Sequence, residues 1–179
     1  MAVDSSEEEL RDNREVDETR AADITKRLPF ADGEVGIVAS KHVLEHLERL
    51  DGFVAEASRV LRPGGFITSL FPTRYAPFAV LNRLLPARLA HGLLHATYPD
   101  TEGSHRFRAH YDRCYYSAFT SLLTGRGFRV EQVHLSYYQS HYFGFLVPLY
   151  LFSVGYELPV YYAKLKDLAA CLLVVARKP

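Results

Sequence analysis

The chain is poor in cysteine, methionine and tryptophan. Its 179 residues include two cysteines, Cys114 and Cys171, one methionine and no tryptophan. Two cysteines so far apart in sequence exclude a disulfide framework and a zinc knuckle, and they are typical of a reducing compartment. The first ten residues, MAVDSSEEEL, lack the pattern of a secretory signal peptide. We therefore expect a cytoplasmic location.

The chain also lacks an excess of charge of either sign, with 21 basic and 21 acidic residues. Since there is no basic stripe either, we expect no nucleic-acid partner. The charges are unevenly spread, however: residues 1–62 hold 15 of the acidic residues and residues 63–179 hold 12 of the basic ones. This asymmetry indicates either a basic partner surface late in the chain or an ordinary solvated face.

No hydrophobic run is long enough to cross a membrane. Residues 132–156 contain no Asp, Glu, Lys or Arg, but Pro148 and Gly155 interrupt their apolar part. That part is shorter than the ~20 residues of a spanning helix. We expect either a buried helix or a lipid-facing surface, with peripheral membrane contact through residues 142–156.

Apolar residues make up 48% of the chain, which is enough for the core of one domain. Strand patterns and helix patterns alternate, and this alternation predicts an α/β fold with a mostly parallel sheet. We expect Asp51 to cap a helix and Pro63-Gly64-Gly65 to end it. The predicted strands cover residues 2–4, 20–24, 34–40, 66–71, 129–138 and 171–179, and the predicted helices begin near residues 5, 51, 77 and 115.

Residues 20–67 carry several motifs in a recognisable order. An Asp-Ile pair (Asp23, Ile24) precedes Leu-Pro-Phe (residues 28–30), then a strand followed by VLEHL, then RVLRPGG before another strand. The segment resembles the class I S-adenosylmethionine-dependent methyltransferases, which are Rossmann-like. LLTGRGFRV and LLVVARK extend the resemblance more loosely. It implies a methyltransferase sheet with a helical or loop insertion after the fifth strand.

The resemblance also implies a binding site for S-adenosylmethionine. Asp4 would accept hydrogen bonds from the ribose hydroxyls, and Asp23 would bind the adenine amino group. The remaining implied cofactor contacts are Ala22 and Ile24 beside the adenine ring, and Ser40, Lys41 and His42 beside the methionine part and the methyl group.

Two features depart from the family pattern. Gly36 stands where the family has an acidic residue, and no Gly-x-Gly-x-Gly loop occurs in the chain. We therefore expect an N-terminally truncated methyltransferase that lacks the first strand and its glycine-rich loop. The expected organisation is a single incomplete domain, 1–179, made of a cofactor-side core (1–72), a variable acceptor-side insertion (73–113), and a C-terminal helix with the last two strands (114–179).

Methyl transfer needs a general base only when the acceptor carries a proton. The weak catalytic candidates are His46, His110 and Tyr111, and His42 and His141 are further possible bases. Each of these residues could instead be an ordinary packed turn residue or a surface residue without a catalytic role. His91 and His95 have the spacing of a helical metal pair, but the glutamate of the zinc-protease signature and a third ligand are missing, so we expect no metal.

The sequence thus predicts a methyltransferase that acts on a small-molecule, lipid or glycan-precursor acceptor, with activity open to impairment by truncation. Arg106, Arg108 and Arg113, with Phe107 and Tyr111, could hold an anionic acceptor. The alternative is a non-catalytic remnant of the fold, or a module that binds a partner along an exposed strand edge. The oligomeric state is not legible in the sequence.

Overall fold

The structure is a computed structural model that describes residues 1–11, 14–84 and 109–179. The predictions for His91, His95, Arg106, Phe107 and Arg108 therefore lie outside the described residues. The strands are β1 (Ala2–Asp4), β2 (Thr19–Ala21), β3 (Val35–Lys41), β4 (Leu61–Pro72), β5 (Arg129–Ser136) and β6 (Cys171–Arg177), and the helices are α1 (Glu7–Arg11), α2 (Leu50–Val60), α3 (Pro77–Leu84), α4 (Tyr116–Gly125) and α5 (Val147–Tyr162).

The described strands form two hydrogen-bonded groups. β1 and β2 pair in parallel, with Asp4 opposite Ala21. The other four strands lie in the order β3-β4-β6-β5, in which β3 and β4 are parallel and β6 runs antiparallel to both of its neighbours. Within the described part of the chain no strand pairing joins the two groups, and β3 pairs only with β4. The predicted α/β fold is confirmed.

The Pro-Gly-Gly sequence lies inside a strand and does not itself end a helix. Helix α2 stops at Val60, and β4 already begins at Leu61. The register against β3 shifts between the pairs Val35–Leu61 and Ile37–Phe66, so residues 62–65 form an irregular bulge. Gly64 has a φ of +77°, a backbone conformation that favours glycine.

Helix α2 packs its apolar stripe against one face of the four-stranded sheet. Phe53, Val54 and Ala57 are buried in the same core as Ile67 and Phe71 of β4. This is the pattern of a crossover helix that covers a parallel strand pair.

The expected cap of α2 is wrong. Arg49 occupies the N-cap position without a side-chain capping hydrogen bond, and Asp51 lies in the first turn of the helix. The Leu50 amide instead donates to Asp112 Oδ2 at 3.0 Å, so the cap comes from a distant segment.

The half-buried outer side of α2 holds the segment that follows β2. Glu56 Oε2 accepts from the Leu28 amide at 2.9 Å. Arg59 donates to the carbonyl oxygens of Leu28 and Phe30 and pairs with Glu56 and Asp32. These bonds fix residues 28–32 relative to the sheet.

Helix α5 continues beyond the charge-free residues 132–156 to Tyr162 and includes Glu157. In the described ranges, no helix is both long and apolar enough to cross a bilayer.

Gly52 is where α2 approaches the loop after β2 most closely, and a substitution there tests this contact. A Cβ atom at Gly52 would lie 2.5 Å from the Thr25 carbonyl oxygen. We expect Gly52→Ala to lower the free energy of unfolding by about 1–3 kcal/mol, because overpacking against backbone forces the loop away. At about 2–4 °C per kcal/mol for a chain of this size, thermal denaturation will measure it.

Gly155→Ala is the matched control, because Gly155 also lies in a helix and a Cβ there meets nothing within 4 Å. This variant should be neutral or slightly stabilised by its better helix propensity. Equal melting temperatures for the two variants would contradict the close contact at Gly52.

Candidate functional site

A cluster of ionisable side chains lies where β3 and β4 end side by side. The His42 amide donates to the Leu70 carbonyl oxygen at 2.9 Å, which continues the ladder beyond β3. His42 has a φ of +54°, and a short 3-10 helix, Leu44–His46, follows it. Leu44 is fully buried and anchors this turn against the core. The carboxyl ends of parallel strands are where open α/β sheets bind ligands.

Glu45 is the central residue of the cluster and is only 4% exposed. Its Oε1 atom lies 3.4 Å from His42 Nδ1 and 3.9 Å from His46 Nε2. Its Oε2 atom is buried and has no hydrogen-bond partner among the described residues. A buried carboxyl oxygen without a partner is costly, so the arrangement favours a protonated Glu45.

Residues 110–114 form one wall of the cluster. The amides of His110 and Tyr111 both donate to the Glu45 carbonyl oxygen, at 2.7 and 3.0 Å. Arg74, just after β4, donates from its amide to the Cys114 carbonyl oxygen and from its guanidinium to the Tyr111 carbonyl oxygen. The structure thus brings His42, His46, His110 and Tyr111 together around Glu45.

The environment of Glu45 shifts the proton affinities of its neighbours. Burial raises the pKa of Glu45 to about 7. Burial, with smaller contributions from the charges of Lys41 and His46, lowers the pKa of His42. At neutral pH His42 is therefore a neutral imidazole beside a carboxyl group that is half protonated.

Tyr111 and Cys114 stay protonated at the same pH. Tyr111 is 3% exposed, and burial followed by the charge of Glu45 raises its pKa. The same two causes raise the pKa of the Cys114 thiol. A buried phenol and thiol of this kind are poor bases, whereas the half-exposed His42 side chain can exchange a proton with a bound molecule.

The expected adenosine contacts lie at a second position, at the ends of β1 and β2. The Ala22 amide donates to the Asp4 carbonyl oxygen at 2.8 Å, so these strand ends are adjacent. Asp4 Oδ1 accepts from the Ser6 amide at 2.8 Å. Ile24 packs against the core.

Asp23 is tied into its own turn. Its carboxylate accepts hydrogen bonds from the amide and hydroxyl of Thr25 and pairs with Lys26 at 3.0 Å. The Thr25 and Lys26 hydrogen bonds lower the pKa of Asp23 to about 2.

The remaining predicted residues differ in their surroundings. Ser40 Oγ donates to Ser69 Oγ at 2.9 Å, and Lys41 is exposed at the end of β3. His141 lies in another segment, where its ring stacks on Tyr138 at a centroid distance of 5.0 Å.

Sequence reasoning missed Glu45 as a functional candidate. In LEHL it looks like a solvated turn residue, and only its apolar neighbours Leu44 and Leu47 hint at burial. The described residues contain no group of three or more His, Cys, Asp or Glu side chains arranged to hold a metal ion. The cluster's chemical capability is therefore proton transfer at His42, next to a strand-end position that can receive a ligand.

Comparisons with known proteins show which proteins the chain is similar to in sequence and fold. Residues 1–69 match the family described as "Methyltransferase domain". No curated protein matches the chain.

Solved structures match over almost the whole chain. The S-adenosylmethionine-dependent methyltransferase from Mesorhizobium loti has 18% identity and a TM-score of 0.55, covering 98% of this chain and 78% of its own. Geranyl diphosphate C-methyltransferase from Streptomyces coelicolor has 13% identity and a TM-score of 0.53, covering 96% and 56%. The [4+2]-cyclase SpnF has 16% identity and a TM-score of 0.51, covering 90% and 55%.

The chain thus spans just over half the length of two of these proteins. At these sequence identities, the similarity to the solved structures shows a shared fold. The family match of residues 1–69 is a similarity in sequence. The resemblance to the class I S-adenosylmethionine-dependent methyltransferases is therefore confirmed: the chain has their fold, and its first 69 residues match a methyltransferase domain.

Proposed function

We propose that this protein uses S-adenosylmethionine to methylate a small-molecule acceptor, with His42 as the proton acceptor. The observation that carries the proposal is the buried Glu45 carboxyl 3.4 Å from a neutral, half-exposed His42 at the carboxyl ends of β3 and β4.

The residues at the ends of β1 and β2 fit the adenosine half of the cofactor. Asp4 and Asp23 place two carboxylates at neighbouring strand ends, and carboxylates accept hydrogen bonds from a ribose diol or an amino group. The low pKa of Asp23 keeps it ionised across the physiological range. When bound, S-adenosylmethionine supplies a methyl group on a positively charged sulfur, which is an electrophile. Ser40, Lys41 and His42 would border that end.

The protein's part in the transfer is alignment and proton removal. The acceptor's lone pair forms a bond to the methyl carbon while the carbon–sulfur bond breaks and its electron pair stays on sulfur. The acceptor's proton passes to His42, whose Nδ1 faces Glu45 and whose Nε2 is then the nitrogen that an acceptor would reach. Glu45 acts as a positioning residue, because it holds the imidazole without touching the acceptor.

The acceptor we propose is a small molecule with an apolar part, of the lipid or glycan-precursor type. One structural neighbour is a geranyl diphosphate C-methyltransferase crystallised with geranyl diphosphate, which combines an apolar chain with an anionic group. Here the guanidinium of Arg83 lies 5.8 Å from the Tyr111 ring and supplies a cation that would complement such an anionic group. Membrane contact through residues 142–156 fits a lipid acceptor, which resides at a bilayer surface.

A partner-binding module without catalysis is the second candidate. It is supported by the outer edge of β3, which has no strand partner among the described residues, and by Ile37 on that strand, which is 63% exposed. SpnF, a [4+2]-cyclase, is a second reason to consider functions other than methyl transfer for this fold.

Calorimetric titration with S-adenosylmethionine and S-adenosylhomocysteine tests the cofactor proposal. We expect both to bind the folded chain, and we expect Asp4→Ala to weaken binding about tenfold or more, because a charge-assisted hydrogen bond to the ribose is lost.

Asp17→Ala is the control, since Asp17 is an exposed acid between β1 and β2 outside the proposed site. An Asp4→Ala variant that binds as tightly as the wild type would refute the role of Asp4. A folded wild-type chain that binds neither compound would favour the partner-binding module.

The pH dependence of stability tests the state of Glu45. Because its pKa in the folded protein is about 7, against an ordinary value of 4.5, the folded state retains a proton that the unfolded state loses. This contribution to stability is fully present below pH 4.5 and disappears as the pH rises through 7. We expect Glu45→Gln, which cannot ionise, to be more stable than the wild type by about 3 kcal/mol at pH 8 and to lose that advantage at pH 4.5.

Glu48→Gln provides the comparison, since Glu48 is an exposed acid three positions later. It should shift the melting temperature little at either pH. If Glu45→Gln changed stability equally at both pH values, Glu45 would not be the buried titrating group.

A further inference from the structure

Helix α5 has its polar residues inside and most of its large apolar residues outside. Apart from tyrosines, its polar residues are Ser153 and Glu157, and both are buried. The opposite side is exposed and apolar, with Phe152 77% exposed and Tyr162 76% exposed. We call this side, with the residues next to it, the α5 surface; its exposed large apolar members are Phe145, Leu146, Val147, Tyr150, Leu151, Phe152, Leu158, Tyr161, Tyr162 and Leu165.

The polar side of α5 is satisfied within the protein. Glu157 accepts hydrogen bonds from the backbone amide of Gln139 at 3.0 Å and from the Ser140 and Ser153 hydroxyls. This network binds the helix to the short turn Ser140–Phe143, so the orientation that exposes the apolar side is held by specific contacts. A contiguous apolar surface of this kind is unusual on a protein surrounded only by water.

The charges that directly follow helix α5 are basic. The one acidic residue in 132–163 is Glu157, and it is buried. Immediately after the helix, Lys164 and Lys166 are exposed, and Lys166 Nζ lies 4.7 Å from the Tyr116 ring. The next acid, Asp167, is hydrogen-bonded to the amide and hydroxyl of Ser117.

We infer that the α5 surface docks on an anionic lipid bilayer, with the helix lying in the plane of the interface. Exposed Leu and Phe side chains would enter the acyl boundary, tyrosines favour the headgroup level, and basic residues are attracted by anionic headgroups. A helix of 16 residues is about 24 Å long, which suits contact along the surface.

Co-sedimentation with vesicles tests this docking without any enzyme assay, so its outcome is independent of the proposed function. The full chain is mixed with vesicles of phosphatidylcholine and phosphatidylglycerol in equal parts, or of phosphatidylcholine alone. We expect stronger binding to the anionic vesicles, and we expect Phe152→Glu to lower that binding about tenfold or more, because an apolar contact is lost and a repelled charge is added. Lys164→Gln with Lys166→Gln should weaken binding to the anionic vesicles alone.

Ile37→Glu is the matched control, because Ile37 is also an exposed apolar residue but lies on β3. It should bind vesicles like the wild type. The inference is overturned if the wild type binds neither kind of vesicle, or if Phe152→Glu and Ile37→Glu lower vesicle binding equally. It is also overturned if the protein binds no vesicle and sedimentation velocity shows a dimer that Phe152→Glu dissociates. Since Phe152 is so exposed, its replacement leaves the core intact, and a thermal melt verifies this.

Discussion

The packing of helix α2 against the sheet is the contact on which both parts of the candidate site depend. Its inner side joins the apolar core beneath β4. Its outer side holds the segment after β2 through Glu56 and Arg59, and its first turn receives the Asp112 carboxylate from the segment that covers Glu45. One helix therefore fixes the segment after β2 and the cluster around Glu45 relative to the same sheet.

Glu45 illustrates how such a scaffold can maintain an unfavourable group. Burying a carboxyl group with one oxygen unpartnered costs stability at neutral pH, and the surrounding backbone hydrogen bonds offset that cost. The same burial raises the proton affinity of Glu45 while His42, half exposed, stays neutral. Opposed shifts in neighbouring groups are typical of sites that move protons.

Helix α5 inverts the usual distribution of polarity. In most surface helices the apolar stripe faces the core and charged residues face water. Here Glu157 and Ser153 face the protein and phenylalanine, leucine and tyrosine face outward, because the turn 139–143 supplies donors that bind Glu157. Tyr142, in the same turn, stacks on Phe78 of α3 and so connects this turn to the helix that follows β4.

The sequence by itself determined the elements whose patterns are local. The strands near residues 2, 35, 129 and 171 and the stripe of α2 follow from side-chain periodicity, and the order of motifs in residues 20–67 predicted the fold family. Tertiary structure decided the rest, since burial depends on segments distant in the chain. Asp112, and not Asp51, caps α2. Residues 110–114 bury Glu45. Gln139 and Ser140 bind Glu157, so that the apolar side of α5 faces outward. Periodicity reports which residues share a face, but only packing decides what that face meets.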